Sequence, residues 1–500
     1  MNPLSSLLVT LLFGPFAVYL TGRLFQRAKG ERPAGTAAGL AAIVLAVVAF
    51  AFLFMIRIRL GAGQTVALDG AAPSPLAISL RADSLSTFMA GITLIMGLIA
   101  MVFSLGYMRE DTGVDKFYAV FLLMLGAMVG LVMANDLFNL FVFFEMMSIA
   151  SFVLVSFRKS SWEPIEAGFK YIILSCVGSF LLLLGMLLMF MYTGELNLAR
   201  IAAGLADVPR EPKLIMISFI VAGLGVKAAI VPLHTWLPDA HSAAPSGVSA
   251  FLSGVVIQTG LFAMIRVLIV GFGNAHAVAG LVFLVFGALT MTIGNLTALQ
   301  QTDIKRMLAY SSVAQMGYIM LGLGVGWRYG VIAGLDGGVF HVMTHAFMKG
   351  LAFMCAGALI HAAGTREINE LHGLGRKMPV TAVLFTLSVL GLAGVPPFSG
   401  FMSKLLIYEA GFKTGIAAGY ALACLAILNS VISLGYYLPA VTNLFAPRVE
   451  RKPGRIEEAP LSMLVSMFVL AALTLVLGIW PEIGLRAVYP AVRIITKPIL

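Results

Sequence analysis

Of the 500 residues, 60% are hydrophobic and only 11% are charged, whereas soluble domains hold about half apolar and about a quarter charged residues. The composition points to an integral membrane protein and excludes an ordinary soluble fold, a disordered chain and a disulfide scaffold. The formal net charge of +10 reads as topology-setting basic residues in loops, with no nucleic-acid partner expected.

A bilayer core of about 30 Å asks for about 20 apolar residues per helix, and about fourteen such runs can be traced. The first, Pro3 to Leu20, has no Lys or Arg before it and is followed by Arg23, Arg27, Lys29 and Arg32. That order is the reverse of a cleavable signal and places the N-terminus outside. Runs from Ala37 to Met55 and Leu85 to Tyr107 flank the longest polar stretch, Ile56 to Asp83, which reads as a loop. Next come Phe117 to Ala134, Leu137 to Phe157, Glu166 to Tyr192, Leu214 to Pro232 and Gly247 to Val270. The series continues with Val278 to Leu299, Met307 to Trp327, Gly334 to Ala362, Val380 to Glu409, Ile416 to Leu438 and Leu461 to Trp480. An even number of crossings returns the C-terminus to the outside. Arg23 to Arg32 and Arg448 to Arg455 are the densest inner basic loops. The tail after Trp480 is too short for another long helix.

Cys176, Cys355 and Cys424 stand alone without any C-x-x-C, and the dipeptide Gly-Lys of a phosphate-binding loop never occurs. No iron–sulfur cluster, nucleotide or other cofactor is therefore expected on this chain. The chain should carry neither a redox nor a hydrolytic centre of its own.

An ionisable group near mid-bilayer costs at least about 2.5 to 3.5 kcal/mol on insertion scales, so each one needs a reason. Glu145 lies nine residues beyond Asp136, about 14 Å along a helix and close to the midplane. Five bases also fall within spans: Lys170, Lys227, Arg266, Lys349 and Lys404. Lys170 and Arg266 lie near span ends, from which a long side chain can reach an interface. Lys227, Lys349 and Lys404 have no such escape. A desolvated lysine releases its proton readily and a nearby carboxylate restores the charged form, so Glu145 with Lys227 reads as a proton switch.

Proline interrupts two spans close to a lysine. One reads Lys227-AAIVP-Leu233-His234-TWLPDAH, and the other reads GV-Pro396-Pro397-FSGFMS-Lys404. Matching broken spans in two halves are a footprint of inverted repeats with ion sites at the breaks. Between them His341, His345 and Lys349 recur at i, i+4 and i+8 on one helical face. H-E-x-x-H is absent, so no metal site is expected, and the histidines read as proton-relay groups. Gln258, Thr290, Asn295, Gln300, Tyr310, Ser311, Ser312 and Gln315 could hold water between these stations.

These residues resemble a known family: the antiporter-like membrane subunits shared by respiratory complex I, the Mrp cation/proton antiporters and the membrane-bound energy-converting hydrogenases. The resembling stretches are FVFFEMMSIASFVLV, EAGFKYIILSCVGS, VKAAIVPLHTWLPDAHSAAPSGVSAFLSG, TDIKRMLAYSSVAQMGY, HVMTHAFMKGLAFMCAGALIH and GVPPFSGFMSKLLI. The resemblance implies an all-α integral membrane fold of about 14 transmembrane helices with two inverted five-helix repeats, each with a broken helix. Residues 1–115 would hold the first three helices, 116–272 the first repeat, 273–442 the second, and 443–500 the last helix and tail. It implies that Glu145 and Lys227 form the carboxylate–lysine pair of one half-channel, that Lys349 with His345 forms the central connection, and that Lys404 is the terminal lysine of the other half-channel. Lys170, His341, His234 and Asp239 would act as relay groups, the last two near the inner entrance.

Lys404 stands where one complex I subunit carries glutamate, and the chain lacks room for the long lateral helix of the largest members. The remaining alternatives are an Mrp D-type subunit, a hydrogenase-associated subunit and the smallest complex I paralogue. The expected activity is translocation of protons, or of sodium, in the cell membrane. Other membrane subunits would supply a redox reaction or a counter-ion gradient. The alternative, a stand-alone transporter of an organic solute, would call for a pocket of aromatic and hydrogen-bonding groups where lysines stand in series.

Overall fold

Inside a bilayer every backbone N–H and C=O must find a partner within the protein, which restricts spans to helices or closed barrels. The computed structural model describes residues 2–70, 78–273, 275–447 and 457–496, and it is built almost entirely of helices. The chain begins with α1 (Pro3–Lys29), α2 (Glu31–Gly61), a short pair of strands β1 (Val66–Asp69) and β2 (Ser79–Ala82), α3 (Ser84–Tyr107), α4 (Val114–Met133) and α5 (Leu137–Val155). There follow α6 (Trp162–Thr193), α7 (Leu198–Gly204), α8 (Arg210–Lys227) and α9 (Trp236–Ala243). One span then combines α10 (Ser246–Phe251) and α11 (Ile257–Ile265) with wide π turns at Leu252–Val256 and Arg266–Gly271. The rest comprises α12 (His276–Ala298), α13 (Ile304–Tyr329), α14 (Ile332–Ala363), α15 (Pro379–Ala393), α16 (Ser399–Lys413), α17 (Ala417–Phe445), α18 (Leu461–Ile479) and α19 (Pro481–Thr496).

Among the described residues, 12 helical stretches are long and apolar enough to cross a membrane. The expected spans Leu214 to Pro232 and Val380 to Glu409 are missing from that set. In the first, α8 ends at Lys227 and non-helical chain follows to Thr235; in the second, residues 394–398 separate α15 from α16. Both breaks coincide with the proline-rich motifs, because a proline removes a backbone donor and clashes with the preceding turn.

Two expectations are corrected. The polar stretch Ile56 to Asp83 is not simply a loop: α2 runs on to Gly61, and β1 pairs antiparallel with β2 in the register Val66↔Ala82. The tail after Trp480, expected to hold no long helix, forms the 16-residue α19. Its apolar side, with Leu485, Val488, Val492 and Ile495 buried, lies against the bundle. The basic loop Arg448 to Arg455 lies outside the described residues.

Helix starts are fixed by acidic caps. Asp83 accepts from Ser86 N at 2.8 Å, Asp136 from Asn139 N at 2.7 Å, and Asp303 from Lys305 N at 2.7 Å, each satisfying a donor the helix leaves orphaned. Ion pairs tie the loops of one face together: Arg158 with Asp111 at 2.9 Å, Arg366 with Glu163 at 2.7 Å and with Asp303 at 3.2 Å, and Arg306 with Asp239 at 2.6 Å. At the opposite face, bridges join Leu80 to Ala134 and Asp136 to Asn197. α13 and most of α14 are buried nearly all round, so they form the interior of the bundle and their polar side chains face other protein.

Candidate ion-translocation site

The first break leaves Lys227 as the last residue of α8, 1% exposed. Its Nζ donates to Tyr171 Oη of α6 at 2.7 Å and to Ser148 Oγ of α5 at 2.9 Å. Aromatic faces complete the pocket, with Tyr171 at 4.6 Å, Phe152 at 5.4 Å and Phe144 at 5.8 Å from the ammonium, a placement that favours a cation. Tyr171 in turn stacks on Trp236 at 3.9 Å, and Trp236 Nε1 donates to Val226 O at 2.7 Å. The Trp236 indole thus satisfies a carbonyl beside the break and fixes the tyrosine ring. Across the break, Val231 N donates to Thr290 Oγ1 of α12 at 3.1 Å. Ala229 adopts φ +52, a left-handed backbone that costs a residue with a Cβ about 1 kcal/mol or more. Gly260 of α11 permits the close approach: a Cβ there would meet Ala228 N at 3.0 Å and Lys227 C at 3.1 Å.

Glu145 is half-buried on α5, one turn from Ser148, and accepts a hydrogen bond from Ser179 Oγ of α6. No ion pair joins it to Lys227 among the contacts within 4.0 Å; Ser148 and Tyr171 hold the ammonium instead. The carboxylate–lysine pair expected from sequence is therefore not a direct contact: Glu145 of α5 lies one turn from Ser148, the residue that holds Lys227 of α8.

At the second break the lysine itself satisfies the interrupted helix. Lys404 of α16, 1% exposed, donates to Leu392 O at 2.7 Å, to Ala393 O at 3.4 Å and to Ser430 Oγ of α17 at 3.1 Å, with its ammonium 4.3 Å from the Tyr318 ring. Gly394 adopts φ +87, and a Cβ there would meet Lys404 Cδ at 3.1 Å. Glycine at this position gives the left-handed turn and the room for the lysine stem.

α13, α14 and α11 supply the ground between the breaks. Lys349 is fully buried and donates to Leu308 O at 2.9 Å and to Ser311 Oγ. Gln258 Nε2 donates to Val342 O at 2.9 Å and lies 2.7 Å from His345 Nδ1. That nitrogen therefore accepts, and Nε2 carries the proton without a partner. Gln315 Nε2 donates to Leu392 O at 3.2 Å, which presents its Oε1 to His341 Nε2 at 2.8 Å, while His341 Nδ1 meets Ser403 Oγ at 2.8 Å. A hydrogen-bonded path thus links His341 through Gln315 to the carbonyl that also holds Lys404. The His341 and His345 rings stand 6.3 Å apart, which leaves a gap in the direct hydrogen bonding.

The other candidates sit elsewhere. Lys170, grouped by sequence with the bases inside spans, is half exposed and pairs with Glu166 at 2.9 Å and Asp239 at 3.2 Å. Asp239 also binds Arg306, and this ion cluster lines a cavity of about 200 Å³. His234 is half-buried beside Tyr310, at 6.2 Å between rings, with Nδ1 unpartnered. Arg266 does not snorkel: it is 4% exposed and pairs with Asp83 at 2.5 Å.

Sequence reasoning passed over two groups. His241 is fully buried on α9, with both ring nitrogens unpartnered and its ring stacked on Phe353 at 4.9 Å. Lys305, in the first turn of α13, is 4% exposed and donates to Ala244 O at 2.6 Å. Their charge-rich neighbourhood in sequence disguised both, since Asp239 and Arg306 beside them are partly exposed.

The family model described as NADH:quinone oxidoreductase/Mrp antiporter, TM matches residues 134–433, and one described as NADH-Ubiquinone oxidoreductase (complex I), chain 5 N-terminus matches residues 71–118. The larger match contains Glu145 and all three buried lysines of the two breaks and the centre. The F(420)H(2) dehydrogenase subunit N of Methanosarcina mazei is 34% identical over 414 residues, covering 81% of this chain and 82% of that one. A chain of the membrane-bound sulfane sulfur reductase, an archaeal respiratory membrane complex, superimposes with a TM-score of 0.86 at 28% identity over 99% of this chain and 98% of the other. A chain of the Mrp complex from Dietzia sp. DQ12-45-1b gives 0.87 at 25% identity over 100% and 98%.

Proposed function

The chain belongs to the NADH:quinone oxidoreductase/Mrp antiporter transmembrane family, and from that premise we propose that it is a proton- or sodium-translocating antiporter-like subunit of a multisubunit membrane complex. Protons move along a buried relay of Glu145, Lys227, Lys349 with His345 and His341, and Lys404. The driving reaction, redox chemistry or cation exchange, takes place in neighbouring membrane subunits. The reading includes about 14 crossings of the cell membrane, two inverted five-helix repeats and both termini outside.

One observation carries the proposal. Each broken helix sets a lysine in the protein interior against hydroxyls, carbonyls and aromatic faces, with no carboxylate in contact. A buried cation without a fixed counter-ion is costly to keep charged and is easily biased by a charge arriving nearby. Such groups suit stepwise proton hopping, in which Glu145, one turn from Ser148, biases Lys227 electrostatically without touching it. Waters bridging the histidine gap would complete the relay.

Glu145→Ala and Lys227→Ala, each introduced into the assembled complex, test the relay by proton uptake into vesicles. The expected result is loss of uptake with assembly intact, and normal pumping in both variants would sink the half-channel reading. Retention of full transport by Lys404→Ala would reduce that lysine to a structural cap on α15.

A further inference from the structure

Where the helix ends gather on the ion-paired face, a groove of about 490 Å³ opens between α1, the start of α4 and the end of α5. Its charged lining includes Arg23, Glu31, Asp115, Lys116, Arg158 and Lys159. Arg158 is already neutralised, because its Nε and Nη2 each bond Asp111 at 2.9 Å. Arg23 is spent largely on Tyr19 Oη at 2.9 Å and Gln26 Oε1 at 2.8 Å. Glu31 accepts from Gln26 Nε2 at 3.4 Å. Lys116 and Lys159 remain exposed, with no ion pair within 4.0 Å among the described residues. Asp115 is the contrasting group: it is 7% exposed, its Oδ2 has no hydrogen-bond donor, and the nearest cation, Arg23 Nε, stands at 3.8 Å. The groove therefore offers two free ammonium groups beside one desolvated carboxylate oxygen that lacks a donor.

Apolar surface continues from the groove toward the membrane centre. Beyond Lys116, the same side of α4 presents the half-buried Ala119, Val120 and Leu123. They form a floor between the exposed Phe16, Leu20 and Leu24 of α1 and the exposed Ile149 and Val153 of α5. Charged groups at a membrane face above an apolar valley match the two ends of a phospholipid.

We infer that this groove binds a phospholipid whose headgroup carries a primary ammonium, with its phosphodiester held by Lys116 and Lys159, its ammonium donating to Asp115 Oδ2, and an acyl chain lying over Ala119 and Leu123. Phosphatidylethanolamine has that chemistry. Phosphatidylcholine keeps the charges but its quaternary nitrogen donates no hydrogen bond, and phosphatidylglycerol keeps the phosphodiester without the cation.

The test uses the full chain, extracted in mild detergent together with the subunits that copurify, and scores retained lipid by native mass spectrometry after exchange into single lipids of matched chains. Wild type is expected to retain phosphatidylethanolamine about tenfold better than phosphatidylcholine or phosphatidylglycerol, as suits one charge-assisted hydrogen bond. Asp115→Asn should shrink the ethanolamine preference to about twofold or less, and Lys116→Ala with Lys159→Ala should reduce retention of every phospholipid about tenfold. Equal retention of the three lipids by wild type overturns the inference, and this comparison decides the matter even if Asp115→Asn does not fold. Unchanged retention in the double lysine variant overturns it as well. So does retention by the isolated chain that vanishes in the assembled complex, because a partner helix would then fill the groove.

Discussion

Replacing Tyr171 with Phe deletes a single oxygen, the one that accepts from Lys227 Nζ at 2.7 Å. The ring keeps its position 4.6 Å from the ammonium and its stack on Trp236 at 3.9 Å, so the fold and the cation–π contact survive. Ser148 Oγ at 2.9 Å is then the remaining hydroxyl acceptor. A hydrogen bond to a charged group contributes about 1.5–3 kcal/mol net, and at 1% exposure bulk water does not replace it. The charged station loses that stabilisation, which corresponds to about 10- to 150-fold lower occupancy. Proton uptake into vesicles carrying the assembled complex should fall by at least about tenfold, with subunit content unchanged. Adding Ser148→Ala removes the second hydroxyl, and the two changes should fail to add because they share one ammonium. Pumping by Tyr171→Phe within about twofold of wild type, with assembly intact, would refute the assignment of Lys227 as a charged station.

Gly260→Val places a branched side chain against Ala228 N and Lys227 C, 3.0 and 3.1 Å from a Cβ there. It should cost about 1–3 kcal/mol, seen as earlier thermal unfolding of the purified complex. Gln258→Leu removes the partner of His345 Nδ1 and of Val342 O, and transport should fall about tenfold while the complex still assembles. Lys170→Ala breaks exposed ion pairs with Glu166 and Asp239; the effect on transport should stay within about threefold and shrink further at high salt. Arg266→Leu strands the Asp83 carboxylate that it meets at 2.5 Å. Loss of assembled complex, scored by immunoblot, is expected from a destabilisation of about 3–5 kcal/mol, with partial recovery when Asp83→Asn is added.

The predominance of apolar membrane helices and the two breaks were legible because both follow from local chemistry, although 12 stretches, against the fourteen traced in sequence, are long and apolar enough to cross among the described residues. Twenty apolar residues have few options in a bilayer, and Pro232, Pro396 and Pro397 cannot continue a helix. The unusual cost of burying Lys227, Lys349 and Lys404 made them visible without any partner being known. α19 was harder to see, because its apolar residues at 485, 488, 492 and 495 form a stripe along one side of a short, mixed segment, and that stripe matters only when a bundle is present to receive it. Lys170 and Lys305 show the same limit from opposite sides. Lys170, placed within a predicted span, emerges among acids at the surface, whereas Lys305, in a charged stretch, turns inward to Ala244 O.

The amino-acid order is enough to establish a membrane protein of many helices, interrupted twice beside a lysine, with histidines at helical spacing between the interruptions. These are properties of composition, of proline stereochemistry and of a 3.6-residue period, all of which act over a few turns of one helix. Partnership is a different matter. That Lys227 rests on Tyr171 and Ser148 and not on Glu145, that Lys404 caps the carbonyls of Leu392 and Ala393, and that Gln315 joins this cap to His341 depend on which faces of separate helices meet. Side-chain direction and packing across sequence separations of tens of residues settle those contacts, and no local pattern encodes them.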